Sequence, residues 1–251
     1  MANYHETFLQ GLRFFPDYCN PRAFAVTHRL TSVNDLRQIA DQYDLLILDR
    51  DCTLHGYHEN ERDAEFEDTL QAIKDKAEIA SNSSYGQFVK IGDIFSDLFP
   101  VSKLVRLRGD DKPYLVRIVQ SEVRLFGYDE GAISEVQLED PDILHNMIGY
   151  NYKKPNPLIL HAIIAANIQQ GRIPQDPRVL MVGDAYMTDI VAGNLAVLNT
   201  ARVKPFKPRT QKLDLLAFRT IVDGPLGALM SRLGSSKFPL EELCWSISRL
   251  G

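Results

Sequence analysis

Leu45–Leu48 is apolar at every position and is followed at once by Asp49, Arg50, Asp51, Cys52 and Thr53. The run is too short for a helix. Uninterrupted apolar character, in place of alternation, suits a strand buried on both faces in a parallel sheet covered by helices. Open α/β sheets bind their ligands in the crevice beyond the carboxyl ends of the strands. Asp49 and Asp51 are therefore candidates for a rim where chemistry is done, although an isolated D-x-D is more often a solvated turn. An EF-hand calcium loop starting at Asp49 is excluded: its sixth position needs Gly and its twelfth Glu, and the chain has Leu54 and Asn60 there.

The composition sets wide bounds. With 251 residues, 45% of them hydrophobic, the chain can bury a full core as one domain or as one domain with an insertion. A net charge of −5 argues against a nucleic-acid binder, whose footprint is basic. Cys19, Cys52 and Cys244 are sparse and lack C-x-x-C spacing, so neither a disulfide framework nor a zinc site is indicated. A reducing intracellular compartment fits, cytoplasmic or, in a eukaryote, mitochondrial. No apolar run is long enough to span a bilayer and the N-terminus lacks a signal-peptide layout, so a soluble or peripheral protein is expected.

Residues 1–44 read as an N-terminal arm. Tyr4, Phe8, Leu12 and Phe15 recur at helical spacing until Pro16, Pro21 to Thr31 reads as extended or irregular, and Asn34 is placed to cap a helix burying Leu36 and Ile39. After an acidic stretch, Phe66, Leu70 and Ile73 share a helical face. Ile79 and Ala80 make a short strand ending in Ser81, Asn82, Ser83 and Ser84, whose hydroxyl and amide groups suit an anion's oxygens as well as a turn. Residues 101–150 read as an insertion, basic between Lys103 and Arg124, with weak periodicity from 125 onward. Lys153 and Lys154, followed by Pro155 and Pro157, precede an apolar helix carrying Leu160, Ile163, Ile164 and Ile168. The strand Val179 to Val182 then ends in Gly183 and Asp184, with Thr188 and Asp189 leading a helix through Ile190 to Val197. A basic, proline-broken loop holds Arg202, Lys204, Lys207, Arg209 and Lys212, and Leu229, Leu233 and Leu240 to Leu250 read as packing helices.

Taken in order, these residues resemble the haloacid dehalogenase (HAD) superfamily of phosphotransferases. Asp49, Asp51 and Thr53 match its D-x-D-x-T motif, Ser81 its strand-closing hydroxyl, Lys154 its lysine, and Gly183, Asp184, Thr188 and Asp189 its G-D-x-x-x-T-D. The resemblance implies a single Rossmann-like α/β domain over 1–251, with a mostly parallel sheet, helices on both faces and a small cap or none. It implies Asp49 as nucleophile and Asp51 as general acid and base. A magnesium ion would be held by Asp49, Asp184 and the Asp51 backbone carbonyl, with Asp189 bracing the site, and Thr53, Ser81, Asn82 and Lys154 would hold the phosphate. Lys153 is an alternative to Lys154.

Ser81-Asn82-Ser83, Lys153-Lys154-Pro155 and the arm from Pro21 to Leu36 resemble the phosphatidylglycerophosphate phosphatase branch, within subfamily IIIA. That branch implies a lipid head-group substrate and peripheral membrane contact, through the basic stretches 103–124 and 202–212 and the Tyr4 to Phe15 helix. A soluble phosphatase of a sugar or nucleotide phosphate, and a non-catalytic phosphate-binding or scaffold protein on the same fold, are the other expectations. Nucleic acid is not an expected partner.

Overall fold

The computed structural model describes residues 15–56, 61–138, 143–207 and 223–235. The Tyr4 to Phe15 helix short of its last residue, residues 208–212 of the basic loop, and Leu240 to Leu250 lie outside them.

Ten strands form one sheet: β1 His28–Leu30, β2 Leu45–Leu48, β3 Ala77–Ala80, β4 Val101–Leu107, β5 Pro113–Val119, β6 Glu122–Asp129, β7 Ala132–Val136, β8 Ile148–Asn151, β9 Val179–Gly183 and β10 Asn199–Val203. Their order is β1-β10-β9-β2-β3-β4-β5-β6-β7, with β8 paired to β4 off that path. From β1 to β4 every pairing is parallel, and from β4 to β7 every pairing is antiparallel. The fold is the expected mostly parallel α/β sheet, extended at one side by a meander.

β2 sits between β3 and β9 and is buried at all four positions. Its side chains divide by parity as the pleat requires. Leu46 and Leu48 join Leu70 and Ile73 of helix α1 (Glu67–Ile73) and Phe88, Ile91 and Phe95 of helix α2 (Tyr85–Phe95) in one core layer. Leu45 and Ile47 join Ile159, Leu160 and Ile163 of helix α3 (Leu158–Gln169) in the other. Each such side chain, fully buried, stabilises the fold by about 1.5–3 kcal/mol. From β2 the chain moves outward to β3 on one side, and β9 returns on the other. The crevice at their carboxyl ends is the usual ligand position in such sheets.

Two local readings are corrected and one is made specific. The segment after Thr31 is a 3-10 run, Val33–Gln38, capped by Ser32 and Asp35 acting reciprocally and not by Asn34. The arm contains β1, which pairs parallel with β10. Of the described residues between 125 and 150, more than half are strand. β6 buries Leu125, Phe126 and Tyr128 on both faces between exposed ends, and β7 is exposed everywhere but Ile133, so neither shows a clean alternation and a periodicity search finds little there.

Nor do the basic residues of 103–124 gather into one surface patch. Lys103 and Arg117 are buried, while Arg106, Lys112 and Arg124 each lie beside a carboxylate, of Asp111, Asp129 and Glu122. Arg117 of β5 pairs with Glu78 of β3 through Nη2 at 2.6 Å and Nε at 3.1 Å. Asn167 of α3 donates to the same carboxylate at 2.7 Å, and Ser102 of β4 donates to it as well. No helix among the described residues is long and apolar enough to cross a membrane.

Candidate active site

Asp49 follows β2 directly, and its backbone N–H donates to the Val182 carbonyl at 2.8 Å, so the β2 end is stitched to the β9 end that carries Asp184. Carboxylate oxygens of Asp49, Asp184 and Asp189 lie within 4.8 Å of one another. Asp189 belongs to a π-helical turn, Tyr186–Ile190, that leads into helix α4 (Val191–Leu195), and its Oδ2 accepts the Ala185 N–H at 3.2 Å. The turn folds the side chain back over Gly183, where an added Cβ would stand 2.4 Å from Asp189 Cβ and Cγ. Gly183 is thus a position of forced close approach. Gly183→Ala is expected to push Asp189 out of the cluster and weaken divalent-cation affinity by about tenfold or more; a magnesium titration giving the wild-type constant would contradict it.

Lys154 enters this acidic cluster from the far side. β8 runs antiparallel to β4 beyond the point where β3 ends, so it carries the chain back toward the sheet's ligand-binding rim. The Lys154 N–H donates to Asn82 Oδ1 at 2.8 Å, fixing the segment to the turn after β3. Its Nζ lies 2.6 Å from Asp49 Oδ1 and 2.7 Å from Asp189 Oδ1, at 1% exposure. Burial alone would lower its pKa, but Asp189 and Asp49 hold the ammonium above the ordinary lysine value. Burial, and then the charge of Asp49, push Asp189 up to about 6 against the pull of Lys154. Three carboxylates thus lie together with one ammonium, which pairs with two of them, and a hard divalent cation with oxygen ligands would relieve the excess negative charge.

The remaining residues expected at the site lie around this centre. Asp51 is outside the three-carboxylate cluster, and its Oδ1 is 2.9 Å from Nη2 of the buried Arg50. The loop holding it closes through Cys52, whose N–H donates to the His55 carbonyl and whose φ is +60°. Burial and the Arg50 charge push His55 down to about 4, so the loop carries a neutral imidazole stacked on Phe95. Thr53 is fully buried, with its Oγ1 in no hydrogen bond among the described residues. Ser81, 2% exposed, accepts the Ser83 N–H at 3.2 Å and is tied to β4 through its own N–H to the Ser102 carbonyl. Asn82 spends its side-chain carbonyl on Lys154 and keeps its amide N–H groups.

Two contributors carry no local sequence signal. Arg50 lies within the motif but reads only as part of a polar turn. Asp223 lies immediately before helix α5 (Gly224–Ser235) and accepts the N–H groups of Tyr186 at 3.2 Å and Met187 at 2.7 Å, which anchors the turn bearing Asp189.

Residues 151–215 match the family model described as HAD-hydrolase-like. The match supports membership of the HAD superfamily. It spans about a quarter of the chain and takes in Lys154, Asp184 and Asp189, whereas Asp49 and Ser81 precede it. No curated protein and no solved structure matches the chain. HAD-like character supports a hydrolase of the phosphatase type in general, and the sheet order and site geometry agree with it.

Proposed function

We propose that the protein is a magnesium-dependent phosphomonoester hydrolase working through an aspartyl-phosphate. The observation that carries this reading is the clustering of the Asp49, Asp184 and Asp189 carboxylates, two of which, Asp49 and Asp189, pair with the Lys154 ammonium. A site that only held phosphate would gain nothing from three carboxylates, which repel it. A site that must present a carboxylate nucleophile to a phosphate needs cations around both. Asp49, Asp184 and Asp189, with the Asp51 carbonyl, are the groups that would hold magnesium, and the bound ion supplies charge neutralisation for the attack.

Asp49 attacks phosphorus, the ester oxygen leaves with a proton from Asp51, and the phosphoryl group is then bonded to Asp49. Water attacks that phosphorus, gives its proton to Asp51 and releases inorganic phosphate and free Asp49. Arg50 holds the Asp51 carboxylate in place, and Ser81 and Lys154 steady the transferring oxygens.

Asp51→Asn is expected to slow both halves of this cycle by a factor on the order of 10² or more, with phosphoenzyme accumulating if its breakdown slows more than its formation. Turnover at the wild-type rate would remove Asp51 from its role. Below about pH 6 the proton on Asp189 competes with the cation, so apparent magnesium affinity falls as pH drops from 7 toward 5. Magnesium titrations at both ends of that range check this, and a constant affinity would sink it.

For the substrate, the reading is a lipid-borne phosphate monoester of the phosphatidylglycerophosphate kind, dephosphorylated to phosphatidylglycerol at a membrane surface. Support comes from α5, whose exposed residues are Pro225, Leu226, Leu229, Arg232 and Leu233, an apolar face with one cation and no acid, on the helix that Asp223 ties to the active-site turn. Such a face suits the boundary of an anionic bilayer, each basic residue there adding about 1 kcal/mol. Cosedimentation with anionic vesicles is expected for the wild type and is lost on Leu229→Asp. Absence of binding at low salt, with sugar phosphates hydrolysed better than the lipid, would make the enzyme a soluble phosphatase.

A further inference from the structure

One buried cation near the site has no part in the mechanism above. Lys103 of β4 is fully enclosed, and its ammonium donates to the carbonyl of Ser83, in the turn between β3 and α2. An ammonium has three N–H groups, and the Ser83 carbonyl is its single acceptor among the described residues. The charge that acts on it is another cation, Lys153, and burial followed by that neighbour push Lys103 down to about 7. No carboxylate among the described residues pairs with it. Lys154, equally buried, has two.

The same corner holds a helix amino terminus. Helix α2 is eleven residues long and begins after Ser84, whose side chain makes no capping hydrogen bond. Its first N–H groups and the positive end of its dipole therefore face the Ser81–Ser84 turn. Gln87, in the first turn of the helix, has a buried Nε2 with no hydrogen-bond partner among the described residues. Asn82 and Ser83 are half-exposed and Ser84 is exposed, so the turn above Lys103 is reachable from solvent. Burying a charge away from water without a counter-charge is costly. Two lysines and a helix amino terminus gathered beside a phosphate site are a place for an anion.

We propose that this corner is a second anion-binding position, next to the one that receives the transferred phosphate, and that the substrate is a phosphate monoester carrying a second anionic group. The proposal rests on the phosphatase reading and narrows its substrate class. The second anion sits at the amino terminus of α2 beside Lys153, and Lys103 is a positioning residue that holds the turn through Ser83 and supplies charge from beneath. A diester phosphate in a lipid head group and the second phosphate of a soluble bisphosphate both meet this description.

The test compares wild type, Lys103→Met and Lys103→Arg. Calorimetry in magnesium-free buffer measures binding of a short alkane bisphosphate and of the matching alkyl monophosphate; kinetics with magnesium use an aryl phosphate, the bisphosphate and a short-chain phospholipid bearing a terminal phosphate. The wild type is expected to bind the bisphosphate about tenfold or more tighter than the monophosphate, as one charge-assisted contact implies. Lys103→Met loses that preference and raises KM for the doubly anionic substrates, relative to that for the aryl phosphate, by the same factor, and Lys103→Arg restores it. Whichever of lipid and bisphosphate shows the larger Lys103→Met effect on kcat/KM identifies the source of the second anion. Equal wild-type affinity for the two alkyl ligands would overturn the proposal. So would an equal loss for all substrates in Lys103→Met, which would make Lys103 structural. A bisphosphate preference without any hydrolysis would keep the site and sink the phosphatase reading.

Discussion

Asp49→Asn is expected to reduce phosphomonoester hydrolysis by a factor on the order of 10⁴ or more while leaving the melting transition nearly unmoved. The amide matches the carboxylate in shape but cannot attack phosphorus. Lys154 keeps Asp189 at 2.7 Å as its counter-charge, so the variant leaves no bare buried cation behind. A structural role for Asp49 would give the opposite pattern, with stability lost and the residual folded protein active. Activity within tenfold of wild type, measured on protein of normal melting behaviour, would remove the nucleophile from the mechanism.

Glu78→Ala should have the largest effect on stability. Glu78 and Arg117 are both fully buried, and the carboxylate also accepts from Asn167 and Ser102, so one side chain links β3, β4, β5 and α3. Removing it strands the Arg117 guanidinium in the core. Breaking such a pair costs about 3–5 kcal/mol, which in a chain of this size lowers the melting midpoint by roughly 6–20 °C. Replacing both partners with apolar residues of similar volume is expected to cost much less, because no unpaired charge remains. A Glu78→Ala midpoint close to that of wild type would show that the network contributes nothing net. The network also lies under the site: β3 ends just before Ser81, and α3 follows Lys154 in the chain. Activity in Glu78→Ala should therefore fall before the protein melts.

The sequence was most legible where one element decided its own surroundings. Leu45–Leu48 announces a strand buried on both sides, and the strand lies at the centre of the sheet with its two faces in separate core layers. The polar residues after it, after Ala80 and after Gly183 converge because parallel neighbours bring their carboxyl ends to the same rim. What stayed hidden depends on pairing between distant segments. β6 and β7 look irregular alone, since much of their surface faces solvent and the partner strand supplies the order. Lys103 and Arg117 read as surface charge and are buried, because nothing beside them in the chain shows that Ser83 and Glu78 will meet them. Between Lys153 and Lys154 the sequence favoured Lys154 only by its place before Pro155; the hydrogen bond from the Lys154 backbone to Asn82 fixes the segment from which its side chain reaches Asp49.

The central claim is that Asp49 carries the phosphoryl group during turnover, and acid-quench trapping of the phosphoenzyme tests it most directly. Wild type, Asp49→Asn and Asp51→Asn are mixed with a phosphomonoester in the presence of magnesium or chelator, quenched in acid, digested and examined by mass spectrometry. The account predicts a hydroxylamine-labile phosphoryl group on the peptide containing Asp49, in wild type and Asp51→Asn, dependent on magnesium and absent from Asp49→Asn. Steady hydrolysis with no phosphoryl group on that peptide in either enzyme, or a phosphoryl group on another residue, would contradict it.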